Sequence, residues 1–259
     1  MKAVMLAAGV GSRLALDETE PSPKVLLRFG GKSLLEHHLE IFRQHGIDEL
    51  VIGVGYKNQD IEQEIIDLGA GDFVRTIINK DYLEGSIVTL WTLRDELRSG
   101  TQVILLDADI LYDNRILERL IKSQHQNSML LDRNFEPGDE PVKICVRDNE
   151  IVEFRKWLST RFDFFGESVG MFKLSHDMAC QIIEQTRLYL DQGRRNEAYE
   201  ETIRDVILTS PRGHFAYEDI TGLPWIEIDF HADVLQAKLD ILPRILNEKN
   251  QLRGLSELA

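Results

Sequence analysis

Two cationic residues follow a glycine-containing turn near the start of the sequence. Residues 3–14 read AVMLAAGVGSRL, and residues 21–24 read PSPK. The turn contains four small residues, which are Ala7, Ala8, Gly9 and Gly11. Glycine permits a positive φ and leaves backbone N–H groups open to anions. Arg13 and Lys24 could neutralise a phosphate there. A structural turn with a solvated arginine fits equally well, because neither of the phosphate-binding motifs GxxxxGK[ST] and GxGxxG is present.

Two pairs of acidic residues, each two positions apart, end apolar strand-like runs. Asp107 and Asp109 lie in VILLDADILYDN, and Glu227 and Asp229 lie in PWIEIDF. Carboxylates two apart on a strand point to the same side, so each pair could face one cation. Mg²⁺ prefers oxygen ligands and is commonly held by one or two carboxylates together with substrate phosphates. The alternative for the DAD pair is that it only ends its strand, ahead of a helix cap.

Short apolar runs alternate with amphipathic segments over residues 1–130. The runs AVMLAAG, LVIGVG, FVRTIIN and QVILLDAD show no polar alternation, which predicts strands covered on both faces. Ser33 and Glu36 form a capping-box pattern at the first helical segment, and Gly46 is its C-terminal stop. Repeated β–α units predict an α/β fold with a mostly parallel, doubly wound sheet between helices.

The pattern changes after about residue 128. PVKICVRDNEIVEFRK predicts a β-hairpin with its turn at Asp148 and Asn149, and ESVGMFKLS predicts a further strand. Two helical segments follow, then a last strand in PWIEIDF and a closing helix in HADVLQAKLDILPRILNE. Because no Pro/Gly/Ser-rich linker interrupts the chain, we expect a single domain over residues 1–259, with the hairpin inserted in its second half, 131–259.

Composition and charge exclude several classes of partner. The formal net charge is −14, which disfavours binding to a nucleic acid polymer or an anionic membrane. No apolar run approaches the ~20 residues of a membrane span, and the N-terminus lacks the features of a signal peptide. Cys145 and Cys180 do not have zinc-binding spacing. We therefore expect a cytoplasmic protein without membrane insertion.

The glycine turn, Arg13 and Lys24 occur in an order that resembles the signature loop of the nucleotidyltransferase superfamily. PWIEIDFHADV resembles the late W-x-[DE]-[IV]-[DG] segment of the same enzymes. The superfamily includes sugar-1-phosphate nucleotidylyltransferases and the phosphocholine and aminoethylphosphonate cytidylyltransferases. The resemblance implies a Rossmann-like, three-layer α/β/α fold with a β-hairpin that faces the substrate. It also implies an Mg²⁺-dependent reaction in which an acceptor phosphate or phosphonate displaces pyrophosphate from an NTP.

The resemblance also implies a role for individual residues. Arg13 and Lys24 are the implied catalytic cations. Asp109 holds the metal together with Glu227 or Asp229, and Asp107 is the second choice for the metal ligand of the DAD pair. The implied nucleotide contacts are Leu6, Ala7, Ala8, Gly9, Gly11, Ser12, Asn79, Tyr82, Gly85, Ser86 and Asp107. For Ser86 the alternative is an ordinary helix N-cap. By the same resemblance, residues 1–130 form the NTP-binding half and residues 131–259 the acceptor-binding half.

The acceptor is less well defined by the sequence. The implied acceptor contacts are Lys143, Lys156, Glu167 and Gly170. Cation–π partners for an amine head group could come from Trp157, Phe162, Phe165 and Tyr199, although each of these also fits ordinary packing. Arg155 and Arg161 suit a more anionic or hydroxylated acceptor equally well.

The sequence therefore predicts CTP, or another NTP, and a small phosphorylated or phosphonate acceptor as partners. CTP is favoured because the GLGxA segment of many sugar-type enzymes is absent. The predicted reaction joins CTP to a phosphocholine-like or 2-aminoethylphosphonate-like head group. The alternatives are a sugar-1-phosphate or inositol-1-phosphate nucleotidylyltransferase using UTP, GTP or CTP, and a non-catalytic nucleotide-binding regulatory subunit. A homodimer is also possible.

Overall fold

The structure is a computed structural model, and it describes residues 1–14, 21–100, 102–135, 141–158 and 160–247. Four parallel strands form its centre. The strands are β1 Lys2–Ala7, β2 Arg28–Phe29, β3 Lys32–Ser33, β4 Glu49–Val54, β5 Val74–Ile78, β6 Gln102–Asp107, β7 Ile110–Tyr112, β8 Ser128–Asp132, β9 Lys143–Arg147, β10 Glu150–Arg155, β11 Phe164–Ser175, β12 Ala216–Asp219 and β13 Trp225–Glu227. The central four lie in the order β5, β4, β1, β6. The predicted mostly parallel central sheet is thus confirmed.

Helices cover both faces of this sheet. They are α1 Leu34–Gln44, α2 Asn58–Asp67, α3 Ser86–Thr92, α4 Arg94–Leu97, α5 Asn114–Lys122, α6 His176–Asp191, α7 Tyr199–Thr209 and α8 His231–Gln236. A π-helical turn, Ala237–Ile241, and a helical segment at residues 242–247 continue α8. Among the described residues, none of these helices combines the length and the apolar character needed to cross a membrane.

The alternating side chains of β1 show how the two helical layers pack. Ala3 and Met5 lie in the core cluster that includes apolar residues of α1, α2 and α5. Val4 and Leu6 lie in the cluster that includes residues of α3, α6 and α7. Strands covered on both faces need apolar residues at successive positions, which is why the apolar runs lack alternation. The predicted three-layer α/β/α fold is confirmed.

The second half of the chain extends the sheet with antiparallel strands. The long strand β11 pairs with β6, β9 and β8, and β10 pairs with β9. The predicted hairpin is therefore confirmed as β9–β10, and its turn residues Asp148 and Asn149 both have positive φ, at 53° and 60°. No pattern in the sequence predicted β2, β3, β7, β8 or β12.

The predicted last strand forms, but it lies outside the central sheet. β13 is three residues long and pairs with β7, matching Glu227 with Ile110 and Trp225 with Tyr112. The predicted closing helix packs behind this ribbon, where Ile241 and Leu242 meet Ile228 in a separate core cluster. The final residue of that prediction, Glu248, lies outside the described residues.

A buried histidine lies behind the end of β6. His38 on α1 has its Nε2 at 3.2 Å from the carbonyl oxygen of Ala108 and its Nδ1 at 3.3 Å from the hydroxyl of Tyr112. Because a carbonyl only accepts, Nε2 carries the proton and donates to Ala108, while Nδ1 accepts from Tyr112. Burial lowers the pKa of His38 from 6.5 to about 4. The folded protein therefore holds this imidazole neutral.

This burial predicts a specific pH dependence of stability. The unfolded chain protonates His38 below its ordinary pKa of 6.5. The folded chain does not, so its stability is full above that pH and falls as the pH drops towards 4. Between about pH 7.5 and pH 5 the loss from this residue is about 2 kcal/mol. Glutamine at this position keeps a donor and an acceptor but does not titrate. We therefore expect urea unfolding to show that His38→Gln loses about 2 kcal/mol less stability than the wild type between about pH 7.5 and pH 5. Equal losses in the two proteins would contradict the assignment.

Candidate active site

The glycine turn lies beside the end of β6 because β1 and β6 are neighbours in register. Leu6 pairs with Asp107, so the two strands end at the same edge of the sheet. The carboxyl ends of parallel strands are where open α/β sheets bind their ligands. Gly11 has a φ of 67°, and a Cβ there would approach the Lys24 side chain to 3.3 Å. A glycine at this position therefore brings the turn close to the lysine.

The Lys24 ammonium lies between carboxylates from two distant parts of the chain. Its Nζ donates to Asp109 Oδ2 at 2.8 Å and to Asp229 Oδ1 at 2.5 Å. Arg13 Nη1 donates to the other oxygen of Asp229 at 3.0 Å. Burial alone would lower the pKa of Lys24, but the two carboxylates outweigh it and hold that pKa above its ordinary value. Both predicted catalytic cations thus lie against predicted metal ligands.

The β7–β13 ribbon brings the third carboxylate to the same place. The backbone N–H of Ile228 donates to the carbonyl of Asp109 at 2.9 Å, which fixes the two acidic segments side by side. One oxygen each of Asp109, Glu227 and Asp229 lies within 4.8 Å of the others. Three oxygen ligands this close together suit a hard divalent cation. The donor set therefore fits the predicted metal.

Asp107, the other member of the DAD pair, makes different contacts. The hydroxyl of Tyr199 donates to Asp107 Oδ2 at 2.7 Å. A Cβ at Gly170, whose φ is 71°, would lie 2.4 Å from the same oxygen, so only glycine fits this wall. Burial, and then the nearby charges of Glu200, Asp109 and Glu227, raise the pKa of Asp107 well above its ordinary value. Asp107 is therefore held by Tyr199, and it lies near the three clustered acids without being one of them.

Two adjoining cavities meet at these residues. The first, of about 390 Å³, is lined by Leu6, Ala7, Gly9, Gly11, Ser12, Arg13, Lys24, Ser86, Ala108, Asp109, Lys156, Glu227 and Asp229. The second, of about 230 Å³, is lined by Leu6, Ala8, Gly9, Tyr82, Glu84, Ser86, Thr89, Asp107, Asp109, Tyr199, Glu200 and Glu227. The structure thus brings most of the predicted site residues together, and we call these cavities the phosphate cavity and the acidic cavity.

Five predicted contact residues lie beside the cavities and do not line them. Asn79 is buried and donates to Thr89 at 3.0 Å. Gly85 lies against the chain at residue 197, where a Cβ would be 2.3 Å from the Glu197 carbonyl oxygen. Lys143 donates to the carbonyl of Lys156 at 2.9 Å. These contacts position the cavity walls, and Gly170 does the same for Asp107.

Glu167, the fifth of these residues, lines a third cavity. This cavity of about 270 Å³ also contains Asp132, Phe135, Trp225 and Asp233, and it reaches the other two at Glu227. Burial, and then the charge of Asp132, raise the pKa of Glu167 to about 7. The third cavity therefore carries several acidic groups.

The aromatic candidates are spread over the second half of the chain. Tyr199 lines the acidic cavity, whereas Phe162 and Phe165 pack edge to face with ring centroids 5.2 Å apart. Trp157 is 64% exposed next to Lys156. Arg155 pairs with Glu201 at 2.9 Å. Only Tyr199 among the four aromatic candidates therefore lines one of the two adjoining cavities.

Glu84 and Glu200 are cavity residues that the sequence analysis did not identify. Glu200 lies in the first turn of α7, where acidic residues are favoured by the helix dipole in any protein. Its presence there gives no signal of function. Only the packing of α7 against the sheet shows that this side chain lines the acidic cavity.

The fold and this site are those of a nucleotide-binding α/β enzyme that has paired cations and clustered carboxylates. The profile of the MobA-like NTP transferase domain matches residues 3–159. This protein therefore belongs to the family of MobA-like NTP transferase domains. The predicted nucleotidyltransferase class is confirmed.

Similar proteins include several that are named for a substrate or a product. The CTP:phosphoglutamine cytidylyltransferase of Campylobacter jejuni is 24% identical over 254 residues, covering 90% of this chain and 98% of the relative. The choline-phosphate cytidylyltransferase of Streptococcus pneumoniae is 32% identical over 127 residues, covering 48% of this chain and 52% of the relative. The CMP-5'-(3-aminopropyl)phosphonate synthase of Streptomyces rubellomurinus is 24% identical over 94% of this chain and 39% of its own.

Solved structures share the fold. The inositol-1-phosphate CTP transferase from T. maritima has a TM-score of 0.74 at 19% identity, covering 94% of this chain and 95% of the other. The CTP:phosphocholine cytidylyltransferase from Streptococcus pneumoniae has a TM-score of 0.69 at 20% identity, covering 92% and 97%. At these identities the comparison establishes the Rossmann-like architecture.

The position of Lys24 and Asp109 predicts that both are essential for turnover. We expect Lys24→Ala and Asp109→Ala to lower the rate of pyrophosphate release by roughly a thousandfold, because each removes a preorganised charge from the reaction centre. Lys122→Ala and Asp191→Ala, on the exposed faces of α5 and α6, are the matched controls. Far-UV circular dichroism should be unchanged in all four. An active Lys24→Ala or Asp109→Ala enzyme would refute the role of that residue.

Proposed function

We propose that this protein is an Mg²⁺-dependent cytidylyltransferase that joins CTP to a small phosphate or phosphonate bearing an amine head group. The observation that carries the proposal is the position of Lys24 and Arg13, which lie between the glycine turn and the carboxylates of Asp109 and Asp229. A triphosphate on the turn would meet both cations at once. The similarity to three relatives that are named for CMP transfer or CMP products supports the choice of CTP.

In the proposed reaction, an oxygen of the acceptor phosphate or phosphonate attacks the α-phosphorus of CTP. A new P–O bond forms there, and the bond to the bridging α–β oxygen breaks, so pyrophosphate leaves with the electron pair. Arg13 and Lys24 bind the triphosphate and offset the charge that develops on the leaving group. Lys156, which lines the same cavity, binds the acceptor anion. These residues act by positioning and charge, without a covalent enzyme intermediate.

A divalent cation held by Asp109, Glu227 and Asp229 would neutralise phosphate charge at the reacting centre. The Lys24 ammonium lies against two of these carboxylates. Without a divalent cation, the ammonium offsets their negative charge. We infer that Lys24 moves onto the triphosphate once a divalent cation offsets that charge. The carboxylates therefore hold the lysine close to the position where it acts.

The charges of the cavities support an amine head group. The acidic cavity is lined by Glu84, Asp107, Asp109, Glu200 and Glu227, and the described residues that line it include no lysine or arginine. Asp109 and Glu227 belong to the set that would hold the metal, and the remaining acids, Glu84, Asp107 and Glu200, repel a second anionic group and attract a cation. A neutral sugar or inositol would gain less from these acids. The runner-up function is nevertheless a sugar-1-phosphate or inositol-1-phosphate nucleotidylyltransferase, as the similarity of fold to an inositol-1-phosphate CTP transferase suggests.

The proposal predicts a defined substrate preference. With Mg²⁺ and the purified protein, we expect pyrophosphate release to be fastest with CTP among the four NTPs. Among acceptors, we expect turnover with phosphocholine or 2-aminoethylphosphonate and little with glucose-1-phosphate or inositol-1-phosphate. Removal of Mg²⁺ with EDTA should stop the reaction, and added Mg²⁺ should restore it. A preference for UTP or GTP would reject the cytidylyl assignment, and preference for a sugar or inositol phosphate would select the runner-up.

A further inference from the structure

A carboxylate oxygen in the acidic cavity lacks a hydrogen-bond donor. Glu200 Oε2 is shielded from solvent and accepts no hydrogen bond from the residues that the structure describes. The neighbouring Glu201 differs, because Arg155 donates to it at 2.9 Å. A buried oxygen without a donor destabilises a protein, because it has lost its hydrogen bonds to water. An oxygen of this kind in a cavity wall points to a ligand that supplies the donor.

The other carboxylate at the back of this cavity already has its donor. Asp107 Oδ2 accepts from the Tyr199 hydroxyl at 2.7 Å, and Gly170 packs against the same oxygen. The Tyr199 hydroxyl therefore fixes Asp107 in place. Of these two residues, Glu200 is the one with a shielded oxygen to which no described residue donates.

The two cavities together present opposite charges to one small molecule. Lys156 lines the phosphate cavity. Burial raises the pKa of Glu200 to about 7, while the nearby charge of Lys156 acts in the opposite direction and favours the ionised carboxylate. The cavities share Leu6, Gly9, Ser86, Asp109 and Glu227, so a ligand can extend from one into the other. The complementary ligand is a short zwitterion with an anion at one end and a cation at the other.

We propose that Glu200 binds the protonated primary amine of the acceptor while Lys156 binds its phosphate or phosphonate. This inference rests on the proposed function and narrows its substrate class. A primary ammonium donates three hydrogen bonds and can satisfy the Glu200 oxygen, whereas a trimethylammonium group has no N–H to donate. The amino group of cytosine is neutral, so it offers the Glu200 carboxylate a hydrogen bond but no opposite charge.

The first test compares three acceptors that differ only at the amine, using wild-type enzyme, CTP and Mg²⁺. They are 2-aminoethylphosphonate, its N-trimethyl analogue and ethylphosphonate. We expect kcat/KM for the primary amine to exceed that for the trimethyl analogue by about 10- to 100-fold, since the analogue leaves Glu200 without a donor. Equal use of these two acceptors would overturn the inference and leave the proposed function intact.

The second test uses Glu200→Gln, with Glu201→Gln as the matched control. We expect Glu200→Gln to raise the KM for 2-aminoethylphosphonate by about 10- to 100-fold and to remove the preference over the trimethyl analogue. The KM for CTP and the rate with ethylphosphonate should stay unchanged. Glu201→Gln should behave as wild type towards all three acceptors.

The remaining outcomes distinguish a failure of the proposed function from a failure of the role of Glu200. No pyrophosphate from any acceptor in the wild type would overturn the proposed function and the inference with it. A changed preference between CTP and UTP in Glu200→Gln, with the acceptor preference unaffected, would assign Glu200 to the base and overturn the inference. If Glu200→Gln does not fold, the acceptor comparison in the wild type decides alone.

Discussion

The contact between Lys24 and the carboxylates of Asp109 and Asp229 is the interaction on which the rest of the site depends. Lys24 Nζ joins segments that are 85 and 205 residues away in the chain. Without a cation between them, these two acids and Glu227 would repel one another in a partly buried cleft. The ammonium offsets that repulsion, and the same charge is the one that a triphosphate requires. In the proposed function, one lysine would therefore both stabilise the site and meet the triphosphate.

Several parts of the fold serve to bring these charges together. The register of β1 with β6 sets the glycine turn beside the DAD segment. The β7–β13 ribbon carries Glu227 and Asp229 to the same edge, and the closing helix packs behind it through Ile241 and Leu242. The antiparallel strands and α7 then build the wall that contains Glu200. The parallel half thus supplies the glycine turn, Lys24 and Asp109, and the second half supplies Lys156 and Glu200.

The sequence predicted the elements and residues whose signals are local. Uninterrupted apolar runs identified β1, β4 and β6, and paired acids identified Asp109, Glu227 and Asp229. Short strands such as β7 and β12 carry too few residues to show a period, so they were missed. The contact of Lys143 with a backbone carbonyl depends on how two strands lie together, which no local pattern records. Glu200 was missed for a related reason, because an acid in the first turn of a helix is ordinary.

The exchange of Lys24 for a divalent cation at Asp109 and Asp229 can be measured through the affinity for Mn²⁺. Electron paramagnetic resonance can count free Mn²⁺ for the wild type and for Lys24→Met, each with and without CTP. If the ammonium competes for Asp109 and Asp229, Lys24→Met should bind Mn²⁺ more tightly than the wild type when CTP is absent. CTP should then strengthen Mn²⁺ binding more in the wild type than in the variant. Equal Mn²⁺ affinity of the two proteins without CTP would contradict the account.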